Sequence, residues 1–90
     1  MKLKVVTPEK LVLDQEADSV TLPGSEGQMT ILPGHAAMIA LLRRGIMVAR
    51  SGEAKANPAF IEEGAVEVLK NEVVVMTKGW QISEATPSPR

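Results

Sequence analysis

Apolar residues enter this chain in short bursts: LKVV at 3–6, LVL at 11–13, SVTL at 19–22, MTIL at 29–32, IMVA at 46–49, AFI at 59–61, VEVL at 66–69 and VVVM at 73–76. Turn formers separate them, at Pro8, Pro23-Gly24, Gly27, Pro33-Gly34, Gly45, Ser51-Gly52, Asn57-Pro58, Gly64 and Asn71. Strand-length bursts bounded by turn signals every ~8 to 12 residues predict an all-β sandwich or barrel.

The bursts also predict facing. Val20 and Leu22 alternate with Ser19 and Thr21, and Val66 and Val68 flank Glu67, so these strands are expected to bury one face and wet the other. Lys70-Asn71-Glu72, between two valine-rich bursts, reads as the tip of a hairpin. Segment 36–44, AAMIALLRR, stays open at this level. Its Ala, Leu, Met and Arg favour a short helix ended by Gly45, whereas its length between Gly34 and Gly45 also suits a strand. After Trp80 the sequence turns polar, and Pro87 and Pro89 block helix or ladder; residues 81–90 are expected to fray.

Composition narrows the function classes. Ninety residues with 44% apolar content support one core and one domain. Phe60 and Trp80 are the only aromatics, so aliphatic side chains must build that core, which suits thin layers. Ten basic against eleven acidic residues give a net charge of -1, and with so few stacking platforms nucleic-acid binding is excluded. The absence of cysteine removes disulfides, thiolate catalysis and Cys-based zinc sites, and a single histidine argues against an imidazole-rich metal centre. The apolar run after Lys2 and Lys4 is far too short for a signal peptide, and no stretch approaches the ~20 apolar residues of a membrane span. A soluble intracellular protein is expected.

The single histidine, His35, follows Pro33-Gly34. As a general base it would need a nucleophile and an orienting carboxylate, for which Ser25 and Glu26 are the nearest candidates, but no known triad motif spans 25–35. A simpler reading makes Pro33-Gly34 the corners of a type II turn, with His35 just after it. Flanked by Ala36, Ala37 and Met38, it then suits a partner-binding tip. Lys78 raises a second possibility, since lipoyl and biotinyl carrier domains are small β-sandwiches that display a modifiable lysine at a hairpin tip. Glu62-Glu63 and Arg43-Arg44 read as solvated turns, and a paired-carboxylate glycosidase cleft is more than this chain can build.

Taken together, VVTPEKLVLDQEADSVTLPGSEGQMTILPGHAAMIALLRRG and the later FIEEGAVEV resemble the N-terminal domain of the epsilon subunit of F-type ATP synthase. The resemblance runs from residue 3 to about 79 and is strongest in SEG and ILPGHA. It implies a flattened β-sandwich with 36–42 extended. With the strand pattern, the expectation is a single all-β domain of about ten short strands over residues 1–80, followed by a frayed tail at 81–90.

The resemblance also implies a role. One face of the sandwich would bind the gamma subunit, and the end bearing the SEG and PGHA loops would sit on polar loops of the membrane c-ring. Glu26 and Gly27 match the SEG loop, Gln28 follows it, and Pro33, Gly34, His35 and Ala36 match PGHA. These seven are the expected interface residues. The implied protein is a non-catalytic rotor subunit without cofactor, a monomer when isolated, and peripheral to the cytoplasmic side of a bacterial inner membrane. Gln28 stands where the family usually has an acidic residue, and Ala37 where it commonly has proline. Many family members continue into two helices that inhibit ATP hydrolysis or bind ATP; neither property is expected of the residues present here.

Overall fold

The computed structural model describes residues 1–52 and 57–82, which form ten strands and no helix. They are β1 (Lys2–Val6), β2 (Leu11–Glu16), β3 (Ser19–Gly24), β4 (Gly27–Ile31), β5 (Met38–Leu42), β6 (Gly45–Arg50), β7 (Asn57–Ile61), β8 (Gly64–Leu69), β9 (Glu72–Thr77) and β10 (Trp80–Ile82). One hydrogen-bonded path runs β10-β7-β6-β3-β5-β8-β9-β1-β2, with β4 added to β3.

Strand β3 divides its partners. Its first residues pair with β6, from Ser19↔Arg50 to Thr21↔Val48, and its last, Gly24, pairs with Leu42 of β5. Two backbone bonds flank that rung: Ser25 N–H donates to the Leu41 carbonyl and Arg43 N–H to the Pro23 carbonyl, both at 2.9 Å. The path therefore folds over there into two layers, β4-β3-β6-β7-β10 and β5-β8-β9-β1-β2.

Both layers feed one core. Val20, Leu22, Ile31, Met47 and Ile61 come from the first layer, and Leu3, Val5, Val66, Val68, Val73 and Val75 from the second. Burying each such side chain contributes roughly 1.5–3 kcal/mol before the entropy of ordering is set against it. The expected sandwich is thus the observed one, with Val20, Leu22, Val66 and Val68 facing inward as the alternation requires. The terminal strands β2 and β10 come close to closing a barrel, since Val12 and Trp80 line one small cleft.

Segment 36–44 resolves as a strand at Met38–Leu42. Each residue of β5 has a partner on β8, from Met38↔Val68 to Leu42↔Gly64, and a helix would leave that edge of β8 unpaired. The Lys70-Asn71 turn has φ of 52° and 64° at its two central residues, as a two-residue type I′ hairpin needs. Glu72 already belongs to β9.

Other turn signals fall differently. Pro23-Gly24 lies inside β3, paired with Gln28 and Gly27, and the turn proper is Ser25-Glu26. Asn57-Pro58 opens β7 opposite Ala49 and Val48. At the C-terminus, β10 carries the sheet to Ile82, two residues into the segment expected to fray; residues 83–90 lie outside the described region. Gly64 is obligatory where β8 starts, because a Cβ there would overlap the Met76 carbonyl on the neighbouring strand.

Candidate interaction surface

The SEG motif is the tip of the β3–β4 hairpin, closed by the Gly24↔Gly27 rung. Gly27 has φ of 130°, a conformation that side chains with a Cβ rarely adopt. Glu26, Gly27 and Gln28 are all exposed.

The PGHA motif is the turn that leaves β4. His35 N–H donates to the Leu32 carbonyl at 3.0 Å and Gly34 has φ of 84°, which makes the expected type II turn. Gly34 N–H donates to Asn71 Oδ1 at 3.2 Å, tying this turn to the β8–β9 tip. Pro33, Gly34, His35 and Ala36 are exposed. The His35 Nδ1 lies 2.8 Å from the Ala36 carbonyl. A carbonyl only accepts, so Nδ1 is the donor of this bond.

The two motifs are not neighbours. The five residues of β4 separate them, roughly 17 Å at the rise of a strand. The expectation that both loops share one end of the sandwich is therefore corrected: they occupy opposite ends. For the same reason Ser25, Glu26 and His35 form no triad. Among the described residues no three His, Asp or Glu side chains gather as a metal site.

The extended surface feature is the outer face of β5-β8-β9-β1-β2. With Val66, Val68, Val73 and Val75 inward, the register aligns Leu41, Ala65, Met76, Val6 and Leu11 in one outward row across all five strands. The adjacent row is Ile39, Glu67, Val74, Lys4 and Asp14. Ile39 and Leu41 are 73% and 66% exposed, and Leu11, Leu69 and Met76 are also exposed. Sequence reading missed this face, although the signal was present. Once 38–42 and 72–77 are strands, every second residue of MIALL and VVVM must point away from the core.

At the SEG end this face deepens into an open groove of about 790 Å³. Val6, Pro8, Leu41 and Met76 lie along it, and Arg43, Arg44 and Lys78 stand at its rim. Two of the three cations have partners in the chain: Arg44 Nε is 3.7 Å from Glu62 and Lys78 Nζ 3.9 Å from Glu63. These pairs are exposed and contribute little to stability. Thr77, the buried polar residue at this end, donates its hydroxyl to the Glu62 carbonyl at 2.7 Å and accepts from Gly79 N–H at 3.3 Å. Lys78 thus sits on the connection from one layer to the other, not at the tip of a hairpin, and lacks the geometry of a carrier lysine.

Comparison with known proteins agrees with this architecture. The family model "ATP synthase, Delta/Epsilon chain, beta-sandwich domain" matches residues 1–81. The chain is 38% identical over 77 residues to the ATP synthase epsilon chain of Campylobacter fetus, covering 86% of this chain and 60% of that one. It is 39% identical over 84 residues to that of Leptospira interrogans, covering 93% and 65%. A chain in the Euglena gracilis mitochondrial ATP synthase, solved with OSCP, F1 and c-ring, has the same fold at a TM-score of 0.86 and 24% identity, covering 94% of this chain and 54% of that one. This chain therefore spans less than two thirds of the length of these relatives. Within that span the strands, the SEG and PGHA turns and the family match coincide, and the chain belongs to the family of the β-sandwich domain of ATP synthase delta and epsilon chains.

Proposed function

We propose that this chain is a non-catalytic rotor subunit that joins a gamma subunit to the c-ring of an F-type ATP synthase. Ion flow turns the ring, gamma carries the torque to catalytic sites elsewhere, and this domain holds the two together. It would stand on the cytoplasmic side of a bacterial inner membrane, held there by its partners.

The observation that carries the reading is the outward row Leu41, Ala65, Met76, Val6 and Leu11. A monomer rarely leaves a contiguous apolar strip open to water, and in this family a face of the sandwich receives gamma. The PGHA turn leads directly into β5 and so borders that face, and Pro33, Gly34, His35 and Ala36 are read as gamma contacts at its other end. Glu26, Gly27 and Gln28, at the far end of β4, are assigned to the ring. Rigid turns suit both tasks, because little ordering entropy is lost on docking.

The test is titration of the chain into a gamma-containing catalytic complex from the same organism that has been stripped of its own epsilon subunit, read by co-elution and calorimetry. One-to-one binding is expected. No binding to the cognate complex would overturn the assignment and leave only the fold.

A further inference from the structure

On the outer face of β5-β8-β9-β1-β2 the strands carry six charged residues: Glu67, Glu72, Lys2, Lys4, Asp14 and Glu16. Five have a partner within the chain. Lys4 Nζ lies 3.3 Å from Glu72, Lys2 Nζ 3.8 Å from Asp14, and the Met1 amino group 3.5 Å from Glu16. Among the described residues no cation lies within ion-pairing distance of Glu67. It stands between Ile39 and Val74 in its own row, with Ala65 and Leu69 before and after it on the same side of β8. Its side chain is half-buried, and Ala37, Ile39 and Leu69 share a shallow depression with it.

That placement fixes what a covering surface must contain. An apolar partner laid over Ile39, Leu41, Leu69 and Met76 would strip water from Glu67, and a carboxylate desolvated without a counter-charge is strongly unfavourable. The paired lysines cannot supply the charge, since Lys4 lies two strands away from Glu67 across Val74 and is engaged with Glu72, and Lys70, which shares a second shallow depression with Glu67, Leu69 and Glu72, makes no ion pair with it. We infer that Glu67 is the charge anchor of this surface, receiving a guanidinium or ammonium group that the gamma subunit carries within an otherwise apolar patch. The inference rests on the assignment of this face to gamma. It adds a specificity element: apolar area supplies adhesion, and the single unpaired carboxylate sets the register and rejects partner surfaces without a cation at that point.

The experiment compares the wild-type chain, Glu67→Gln and Glu67→Lys for binding to the cognate gamma-containing complex at low and high salt, with melting curves of each free chain. Glu67→Gln keeps the shape and removes the charge. It is expected to weaken binding roughly 30-fold or more and to flatten the salt dependence. Glu67→Lys should abolish binding, while both variants melt within a few degrees of wild type. Equal affinity and an equal salt slope for wild type and Glu67→Gln would overturn the anchor and leave the docking face standing. Failure of the wild-type chain itself to bind would overturn the docking assignment instead.

Discussion

The two outer faces of the sandwich treat their exposed groups in opposite ways. On the β4-β3-β6-β7-β10 side, Thr21 and Thr30 hydrogen-bond each other across the strands at 3.1 Å, and the Arg44 guanidinium lies 5.6 Å above the Phe60 ring. The exposed large apolar residues of that layer, Ile46 and, at the ends of β4 and β10, Leu32 and Ile82, do not line up in one row across the strands. On the β5-β8-β9-β1-β2 side, Ile39, Leu41, Leu69 and Met76 stand uncovered and Glu67 has no counter-ion among the described residues. The first face breaks up its apolar residues and bonds its central threonines, whereas the second leaves an apolar strip and one carboxylate without a partner among the described residues. Exposure alone would not separate them, because scattered apolar residues are ordinary on any surface. The separation lies in continuity across strands and in what each polar group already bonds.

The largest test goes beneath the uncovered face. Val68→Asp places an unpaired carboxylate in the core formed by both layers and should cost more than about 4 kcal/mol, enough to unfold much of a domain this small. A two-state melt unchanged from wild type would mean that β8 faces the other way, and the comparison of faces would collapse. Next in size is the pair Leu41→Asp and Ile46→Asp, one on each face. Both should fold, but Leu41→Asp is expected to reduce affinity for the gamma complex about 100-fold, whereas Ile46→Asp should change it less than about threefold. Equal losses would erase the distinction. The smallest effect is expected from His35→Ala, which should weaken assembly several-fold while leaving the melting temperature within about 2 °C, since the side chain is exposed. A loss of thermal stability matching the loss of binding would place His35 in folding rather than docking.

Much of this fold could be read before any coordinates. Ser19 to Leu22 and Val66 to Leu69 show their facing because polar and apolar residues strictly alternate, and Lys70-Asn71 shows its hairpin because such turns need residues that tolerate positive φ. Segment 36–44 could not be read from propensity, since its state is set by pairing to β8, a partner more than twenty residues away. Pro23-Gly24 misled as a turn signal because both residues still pair with β4, at Gln28 and Gly27, and Gly24 also pairs with Leu42 of β5. The parallel pairing of β1 with β9, Lys2↔Glu72 to Val6↔Met76, leaves no local trace at all.

The candidate interface residues lie in turns that the sequence marks, but not in the arrangement it suggests. SEG and PGHA mark two rigid turns correctly, yet placing them together overlooked the five-residue strand between them, which at full extension must drive them apart. In the sequence Glu67 reads only as the wet member of an alternating strand. Its isolation becomes visible once Lys2 and Lys4 are seen to face Asp14 and Glu72.

The β1–β9 ladder also sets a timetable. A hairpin of β1 and β2 can form as soon as both are made, but two strands alone are marginal in water, and the slot that holds β1 exists only after residue 77. At ~5–20 residues per second of synthesis, about 4 to 14 seconds separate the first strand from its parallel neighbour. Until then Leu3 and Val5, fully buried at the end, have no core to enter. Strand β1 is thus made long before its seat exists, and damage to β9 will be felt as a delay in the docking of β1.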